Sequence, residues 1–335
     1  MEKLYIVTGA FGHLGNTIVK KLLSQGEKVR CLALPSENTK SLSGTDIEMV
    51  YGDVRIKNSL IPLFENNIPH ETIVIHAAGI VTIASRYVQN VVDVNVTGTK
   101  NIVDMCMEYS VSRLVYVSSV HALPELPGNE AVTEIDHFDP DAVEGLYART
   151  KAEATQIVLD AVSRGLRAVV VHPSGIIGPN DYGKGHMTQM VVDYLNGSLT
   201  ALIKGGFDFV DVRDVTQGII SAAERGRNGE CYILSNKFFS VVELMDMLHD
   251  ISGKRKIKTI LPKWFLHIAA PLAELYYRIL RRTPLFTSYS LYTLYGKSNF
   301  SHAKAERELG YTTRDMRTTL RDTMIFLQEI GRIKN

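Results

Sequence analysis

Tyr147 and Lys151 stand four residues apart inside a helical pattern, so they share one helix face. A tyrosine hydroxyl ordinarily titrates near about 10, too high for proton exchange at neutral pH. A neighbouring ammonium favours the phenolate and lowers that value, which makes the pair a candidate acid–base unit. Upstream, Ser118 and Ser119 follow an apolar run at residues 114–117. A hydroxyl at such a strand end can donate to an oxygen on which negative charge develops. The Tyr–Lys spacing also occurs by chance on solvated helix faces, so it gains meaning only from its company. That company is a glycine loop at the start of the chain, Thr8-Gly9-Ala10-Phe11-Gly12-His13-Leu14-Gly15. Glycines three apart allow a tight turn, close approach of backbone to a pyrophosphate and close helix–sheet packing, with a helix N-terminus facing the anion. A dinucleotide site, a strand-end serine and a Tyr–Lys pair together suit hydride transfer coupled to proton transfer.

Such groups need a frame. Apolar runs at 4–7, 29–34, 48–51, 72–76, 114–118 and 168–172 read as strands. Helical spacing appears at 16–24, 59–64, 91–108 and 146–164. Strands alternating with helices predict an α/β fold of βαβ units, with a parallel sheet buried on both faces. Sheets of this kind bind ligands beyond the carboxyl ends of their strands. After Pro173 the pattern changes, with glycine and proline at Gly175, Gly178, Pro179, Gly183 and Gly185. A strand is expected at 209–212, a helix at 215–225 and a strand at 231–234, and the last hundred residues are mostly helical. The reading is a nucleotide-binding domain at 1–173 plus about 208–236, and a smaller, mostly helical substrate cap at about 174–207 and 237–335.

Composition sets limits. The chain has 335 residues, a net charge of +1, 45% hydrophobic residues and 8% aromatics, as in soluble globular proteins and unlike disordered, collagenous or coiled-coil chains. Near-zero charge gives no electrostatic reason to expect nucleic acid. Cys31, Cys106 and Cys231 are odd in number, lie in apolar runs and lack metal-ligand spacing, which predicts buried reduced thiols in a cytoplasmic protein and no metal. There is no cleavable signal segment and no window of about 18 uncharged apolar residues, so no spanning helix is expected. The nearest approach, 263–280, is interrupted by His267, Glu274 and Arg278 and followed by Arg281 and Arg282. It reads as a cap helix over a pocket, with peripheral membrane contact as the other reading.

The cofactor implied by the loop is NAD(P)(H). An acid about 20 residues beyond the loop would hold the ribose 2′-hydroxyl and select NAD. The tip of the second strand reads Ala33-Leu34-Pro35-Ser36-Glu37-Asn38, with no acid at the strand end, Glu37 beyond a proline, and no arginine. Missing repulsion against a 2′-phosphate, with Ser36, Asn38 and Lys40 nearby, leans the expectation to NADP.

Over nearly its whole length the chain resembles the extended short-chain dehydrogenase/reductases. Within them it is most similar to the dihydroflavonol-reductase and 3β-hydroxysteroid-dehydrogenase branch, which have a Rossmann-type doubly wound sheet. TGAFGHLG resembles the family's cofactor loop, GDV at 52–54 the segment whose acid meets the adenine amine, and HAAG at 76–79 the motif lining the cofactor. NVTGT at 95–99 resembles a helix motif whose Asn95 ties the sheet together. VSS at 117–119 matches the catalytic hydroxyl, YARTK at 147–151 the acid–base pair, and HPSGIIGP at 172–179 the loop flanking the nicotinamide. FVDVRDV at 209–215 and KAERELGY at 304–311 match a strand–helix junction and a C-terminal helix signature. The resemblance implies catalysis by Ser119, Tyr147 and Lys151. It implies cofactor contacts from Gly9, Phe11, Gly12, His13, Leu14, Gly15, Asp53, Val54, Ala77, Ala78, Gly79, Asn95, Ser118, Tyr147, Lys151, Pro173, Gly175 and Ile176. A homodimer through the two long helices is a further implication.

Two departures bear on the substrate. Sugar-nucleotide epimerases and dehydratases of this family carry an Arg-Pro-x-Asn-type loop, where this chain has His172-Pro173-Ser174-Gly175. They also tend to carry an arginine at the position of Phe207. Losing an amide and a guanidinium removes polar contacts that a diphosphate needs. Trp264, Phe265, Tyr276, Tyr277, Leu285, Phe286, Tyr289, Tyr292 and Tyr295 make the cap aromatic, either as packing or as an apolar pocket. His121 and His186 are single histidines, ordinarily loop residues, and Arg213 is expected to pair with Asp211 or Asp214. The expectation is a reductase or dehydrogenase acting on a carbonyl or hydroxyl of a hydrophobic small molecule. The alternatives are a sugar or nucleotide-sugar epimerase/dehydratase with retained NAD, and a cofactor-sensing protein without turnover.

Overall fold

The computed structural model describes residues 2–66, 71–84, 86–125, 130–183, 185–264, 266, 288–296 and 299–333. Its frame is a seven-stranded sheet made of β1 (Lys3–Thr8), β2 (Lys28–Ala33), β3 (Glu48–Tyr51), β4 (Glu71–His76), β5 (Arg113–Val117), β6 (Ala168–Pro173) and, later in the chain, Cys231–Leu234. In space the order is β3-β2-β1-β4-β5-β6 and then Cys231–Leu234, and every neighbouring pair is parallel. That is the doubly wound order, reversing between β1 and β4, where a dinucleotide crevice opens.

The strands read as unbroken apolar runs because both faces are covered. Ile6, Val74, Leu114, Tyr116 and Val170 point to one face, against Ile102 and Val103 of α4 (Gly98–Glu108) and Ala152 and Val158 of α5 (Leu146–Ser163). Their neighbours Tyr5, Val7, Ile75, Val115 and Val171 point to the other face. There they meet Ile18 and Leu22 of the first helix, His13–Ser24, and Val215 and Ile219 of the helix Val212–Arg225. The two-residue alternation of side chains thus divides one run of hydrophobic residues between two cores.

The long helix predicted at 91–108 begins at Gln89 and contains a π turn at Asp93–Thr97 before α4. The strand expected at 209–212 is Gly206–Asp211, and the helix expected at 215 begins at Val212. The reason is Asp211, which ends the strand and caps the helix by accepting the Arg213 N–H at 2.7 Å. A second sheet went unpredicted: Gly206–Asp211 pairs in parallel with Gly175–Ile177 and antiparallel with Lys237–Ser240. Its strands are short and mixed in polarity. Around it Ile177, Phe209 and Phe239 pack with Leu244, Leu248, Leu320 and Leu327 in a third core, served by the helices Val241–Ser252 and Met316–Glu329. The three cysteines are buried and free.

Asp211 also locks the last helix in place. Its carboxylate accepts from Arg213 at 3.0 and 2.7 Å and from the Thr319 hydroxyl at 2.7 Å, while Arg213 reaches Asp322 at 2.6 Å. Arg314 is paired with Asp214 at 2.7 Å. Despite burial, the Arg213 hydrogen bonds hold the Asp211 carboxyl below its usual range. Asp211→Ala is expected to cost about 3 kcal/mol in urea unfolding at pH 7, because it leaves buried partners unpaired. A group whose folded value is depressed stabilises above its ordinary value, near about 4 for aspartate, and loses that contribution on acidification. The stability gap between wild type and Asp211→Ala should therefore shrink as unfolding is repeated from pH 6 down to pH 3.

Candidate active site

The glycine loop leaves β1 at Thr8. Gly9 has φ +69, and a Cβ there would stand 2.8 Å from the backbone of Ala77 and Ala78 at the end of β4. A Cβ on Gly15 would overlap the Gly9 carbonyl, so strand, loop and first helix can close together only as glycine. Gly12 differs: it meets only the Gly9 carbonyl, at 3.4 Å, and caps the first helix with no side chain in front of its N–H groups. Those donors open onto a groove of about 310 Å³ whose lining includes Gly9, Gly12, Asp53, Val54, Ala77, Ala78 and Gly79. Seven of the residues expected at a nucleotide therefore line one crevice at the sheet's reversal point. The bare helix N-terminus, with the glycine cradle beside it, fits a pyrophosphate.

The other expected contacts sit around this groove in supporting positions. Phe11, Leu14 and Ile176 pack against the core. His13 donates Nε2–H to the Pro179 carbonyl at 2.9 Å, joining the glycine loop to the loop that follows Gly175–Ile177. Gly175 is wedged against Phe207, Asp208 and Phe209, just beyond Pro173. Asn95, in the π turn, clamps Ile80 by accepting its N–H at 2.8 Å and donating to its carbonyl at 3.1 Å, and it reaches Thr150 at 3.0 Å. Asp53 does not face the groove as a free carboxylate. Arg55 grips it at 3.0 and 2.5 Å, binds Asn90 at 2.7 Å, and holds the carboxyl below its usual range.

Two charged groove residues were missed. Arg55 comes from the end of β3, not β2. Glu37 is brought back by the proline that seemed to remove it: Pro35 opens a turn in which the Glu37 N–H donates to the Leu34 carbonyl at 3.0 Å. The Glu37 carboxylate then accepts the Leu34 N–H at 3.0 Å and lines the groove at the tip of β2. The Pro-Ser-Glu sequence was the available signal.

At the end of β5 the two serines part. Ser118 is buried and shares a 2.7 Å hydrogen bond with Thr155 of α5. Ser119 accepts the His121 N–H at 3.2 Å, and its side chain lies near the Tyr147 hydroxyl. Its carbonyl accepts Nδ1–H of buried His172 at 3.0 Å, and the His172 ring lies on Phe138. Lys151, one turn along α5, donates to the Val117 carbonyl at 2.7 Å and the Tyr116 hydroxyl at 3.2 Å. The expectation that the lysine lowers the Tyr147 pKa is not met in the protein alone. Burial pushes Tyr147 up to about 12 against the opposing Ser119 bond, and burial brings Lys151 down to about 7. Tyr147 is therefore a protonated phenol, ready to donate.

Beyond Tyr147 lies a cavity of about 270 Å³. His121 presents its ring edge-on to Tyr147 at 5.9 Å and stacks on Phe207 at 5.1 Å. Burial holds His121 neutral, down to about 4. Leu123, Val132, Val143, Phe300, Tyr289 and Tyr292 add walls, and the carboxylates in the lining are Glu125, Asp141 and Glu144. Trp264 is 67% exposed, Tyr295 packs in a separate small cluster, and His186 is exposed. Phe265, Tyr276, Tyr277, Leu285, Phe286 and most of 263–282 lie outside the described residues. Among the described residues no helix is long and apolar enough to cross a membrane, and no cluster of His, Cys, Asp and Glu is arranged to hold a metal.

Comparison with known proteins agrees with this geometry. Over 98% of this chain and 99% of its own, sterol demethylase protein B of Methylococcus capsulatus is 31% identical. A putative dihydroflavonol 4-reductase of Synechocystis is 27% identical over 100% of this chain and 97% of its own. The crystal structure of gox2253 superposes with a TM-score of 0.83 at 28% identity, covering 99% of each chain. Residues 5–235 match the model of the NAD dependent epimerase/dehydratase family. The chain belongs to that family and is an NAD(P)-dependent oxidoreductase.

Proposed function

We propose that this protein moves a hydride between NAD(H) and a carbonyl or hydroxyl group of an uncharged, hydrophobic small molecule. The observation that carries the reading is Tyr147 beside Ser119 and in edge contact with His121, whose ring stacks on Phe207 in the wall of the cavity. Bound NAD(H) supplies or accepts the hydride. Ser119 and Tyr147 present their hydroxyls together, so a substrate oxygen placed between them is polarised by both. In reduction Tyr147 gives its proton to that oxygen, and in oxidation it takes the proton back. Lys151 holds the nicotinamide-side ribose. Neutral His121 and the aromatic walls exclude water and orient a ring or alkyl body. In this reading residues 1–173 with 208–236 hold the cofactor, and 174–207 with 237–335 form the substrate cap.

For the nucleotide, Glu37 moves the preference from NADP to NAD. A carboxylate at the tip of β2 accepts ribose hydroxyls and repels a 2′-phosphate. Arg55 is no counterweight, because Asp53 already neutralises it. Against the sugar-nucleotide reading stand the three carboxylates and, among the described residues, the absence of lysine or arginine from the cavity lining, which disfavour a diphosphate. The names of the relatives, a sterol demethylase protein and a dihydroflavonol reductase, are consistent with a hydrophobic substrate.

The test is a panel of neutral cyclic ketones with purified protein, following NADH absorbance. NADH should be consumed with at least one apolar ketone. Tyr147→Phe should slow that reaction by about 10²- to 10⁴-fold while leaving the NADH dissociation constant nearly unchanged. Retained NAD together with conversion of a UDP-sugar, and no ketone turnover, would overturn the proposal. Glu37→Gln should weaken NADH by about tenfold and narrow its advantage over NADPH. Unchanged preference in a calorimetric titration of both nucleotides would remove Glu37 from the account.

A further inference from the structure

Lys151 is only 5% exposed, and among the described residues no carboxylate pairs with it. An ammonium carries three N–H donors. One goes to the Val117 carbonyl and a second to the Tyr116 hydroxyl, at 2.7 and 3.2 Å. An ammonium has no lone pair, so Tyr116 is the acceptor in that second bond. The Thr99 hydroxyl donates its single proton to the Asn95 carbonyl at 2.6 Å. It therefore accepts from His76 Nε2 at 3.1 Å. The far end of the chain agrees. The Ala78 N–H donates to Thr8 Oγ1 at 3.2 Å, and the Thr8 proton goes to His76 Nδ1 at 2.7 Å, which leaves the His76 proton on Nε2. Every proton from Thr8 to Asn95 has one destination. Tyr116 stands beside this chain, its ring stacked on His76 at 5.7 Å, and its hydroxyl presents a lone pair to Lys151.

We propose that Tyr116 is a positioning residue for Lys151: with the Val117 carbonyl it fixes two ammonium protons and leaves the third for an acceptor in the nucleotide groove beside Gly79. A Cβ on Gly79 would stand 3.8 Å from Lys151 Nζ, so the groove floor opens onto the lysine there. The inference rests on the reading of Lys151 as a cofactor ligand. It has a pH signature, because removing the Tyr116 hydroxyl takes an acceptor from the ammonium, which then loses its proton at lower pH. The titratable groups facing Lys151 are Tyr116 on β5, His76 on β4, His172 on β6 and Tyr147 on α5. Burial keeps both histidines neutral, down to about 3 and about 4, and raises both tyrosines. A change in affinity around neutral pH therefore belongs to Lys151.

The experiment is calorimetric titration with NADH between pH 6 and pH 9, with melting temperatures, for wild type, Tyr116→Phe and Lys151→Met. Tyr116→Phe should weaken NADH about tenfold at pH 8, and move the alkaline loss of affinity about one unit toward acid, with little change in melting temperature. If Lys151→Met weakens NADH but Tyr116→Phe leaves both affinity and its pH dependence as in wild type, Tyr116 is packing and the inference falls alone. If Lys151→Met leaves NADH affinity unchanged, the reading of Lys151 as a ligand falls and the inference with it.

Discussion

A lysine ammonium buried at the carboxyl edge of a parallel sheet must be satisfied by neutral oxygens, and much of the site is organised by that need. A buried charge without partners costs several kcal/mol. Lys151 meets the Val117 carbonyl because β5 ends there, and Tyr116 because side chains alternate along the same strand. Beside Tyr116, whose ring stacks on His76, the bonded chain Thr8–His76–Thr99 joins the ends of β1 and β4 to α4. This polar chain stitches together the strand ends that form the nucleotide groove.

Two kinds of constraint meet along this edge. Gly9 and Gly15 are fixed by backbone crowding, and substitution there would part β1 from β4 or from the first helix. Ser118 and Asn95 are fixed by hydrogen bonds to their scaffolds, Ser118 to Thr155 and Asn95 to Ile80 and Thr150. With these held, the open N-terminus at Gly12 is left to face the crevice, while Ser119 and Tyr147 stand beside His121, which lines the second cavity. The second sheet does the corresponding work for the substrate side, since Phe207 on Gly206–Asp211 carries the His121 stack.

Much of this was legible in the sequence. The six strands of the main sheet up to β6 were each placed to within one or two residues, because strands covered on both faces are continuous apolar runs. The Tyr147–Lys151 pair and the glycine loop were legible because their spacing is local. The second sheet was not, since three- to six-residue strands of mixed polarity leave no periodic signal. Neither was Tyr116, which reads as one more apolar strand residue until its hydroxyl is seen beside Lys151. Glu37 was misjudged for a conformational reason: a proline that ends a strand also starts the turn that returns the chain to it. The Tyr147 expectation failed because a helix spacing says that two side chains share a face, not which partners each one takes. Lys151 spends two bonds on β5, and burial then governs Tyr147.

The central claim is that this site delivers a hydride to a substrate carbonyl carbon. The most direct measurement is mass spectrometry of the product formed from an apolar cyclic ketone and NADH carrying deuterium at the reactive position of the nicotinamide. The account predicts an alcohol with one deuterium on the carbinol carbon and a matching amount of NAD. An alcohol without deuterium, or label that never leaves the nucleotide while a sugar substrate changes configuration, would contradict it.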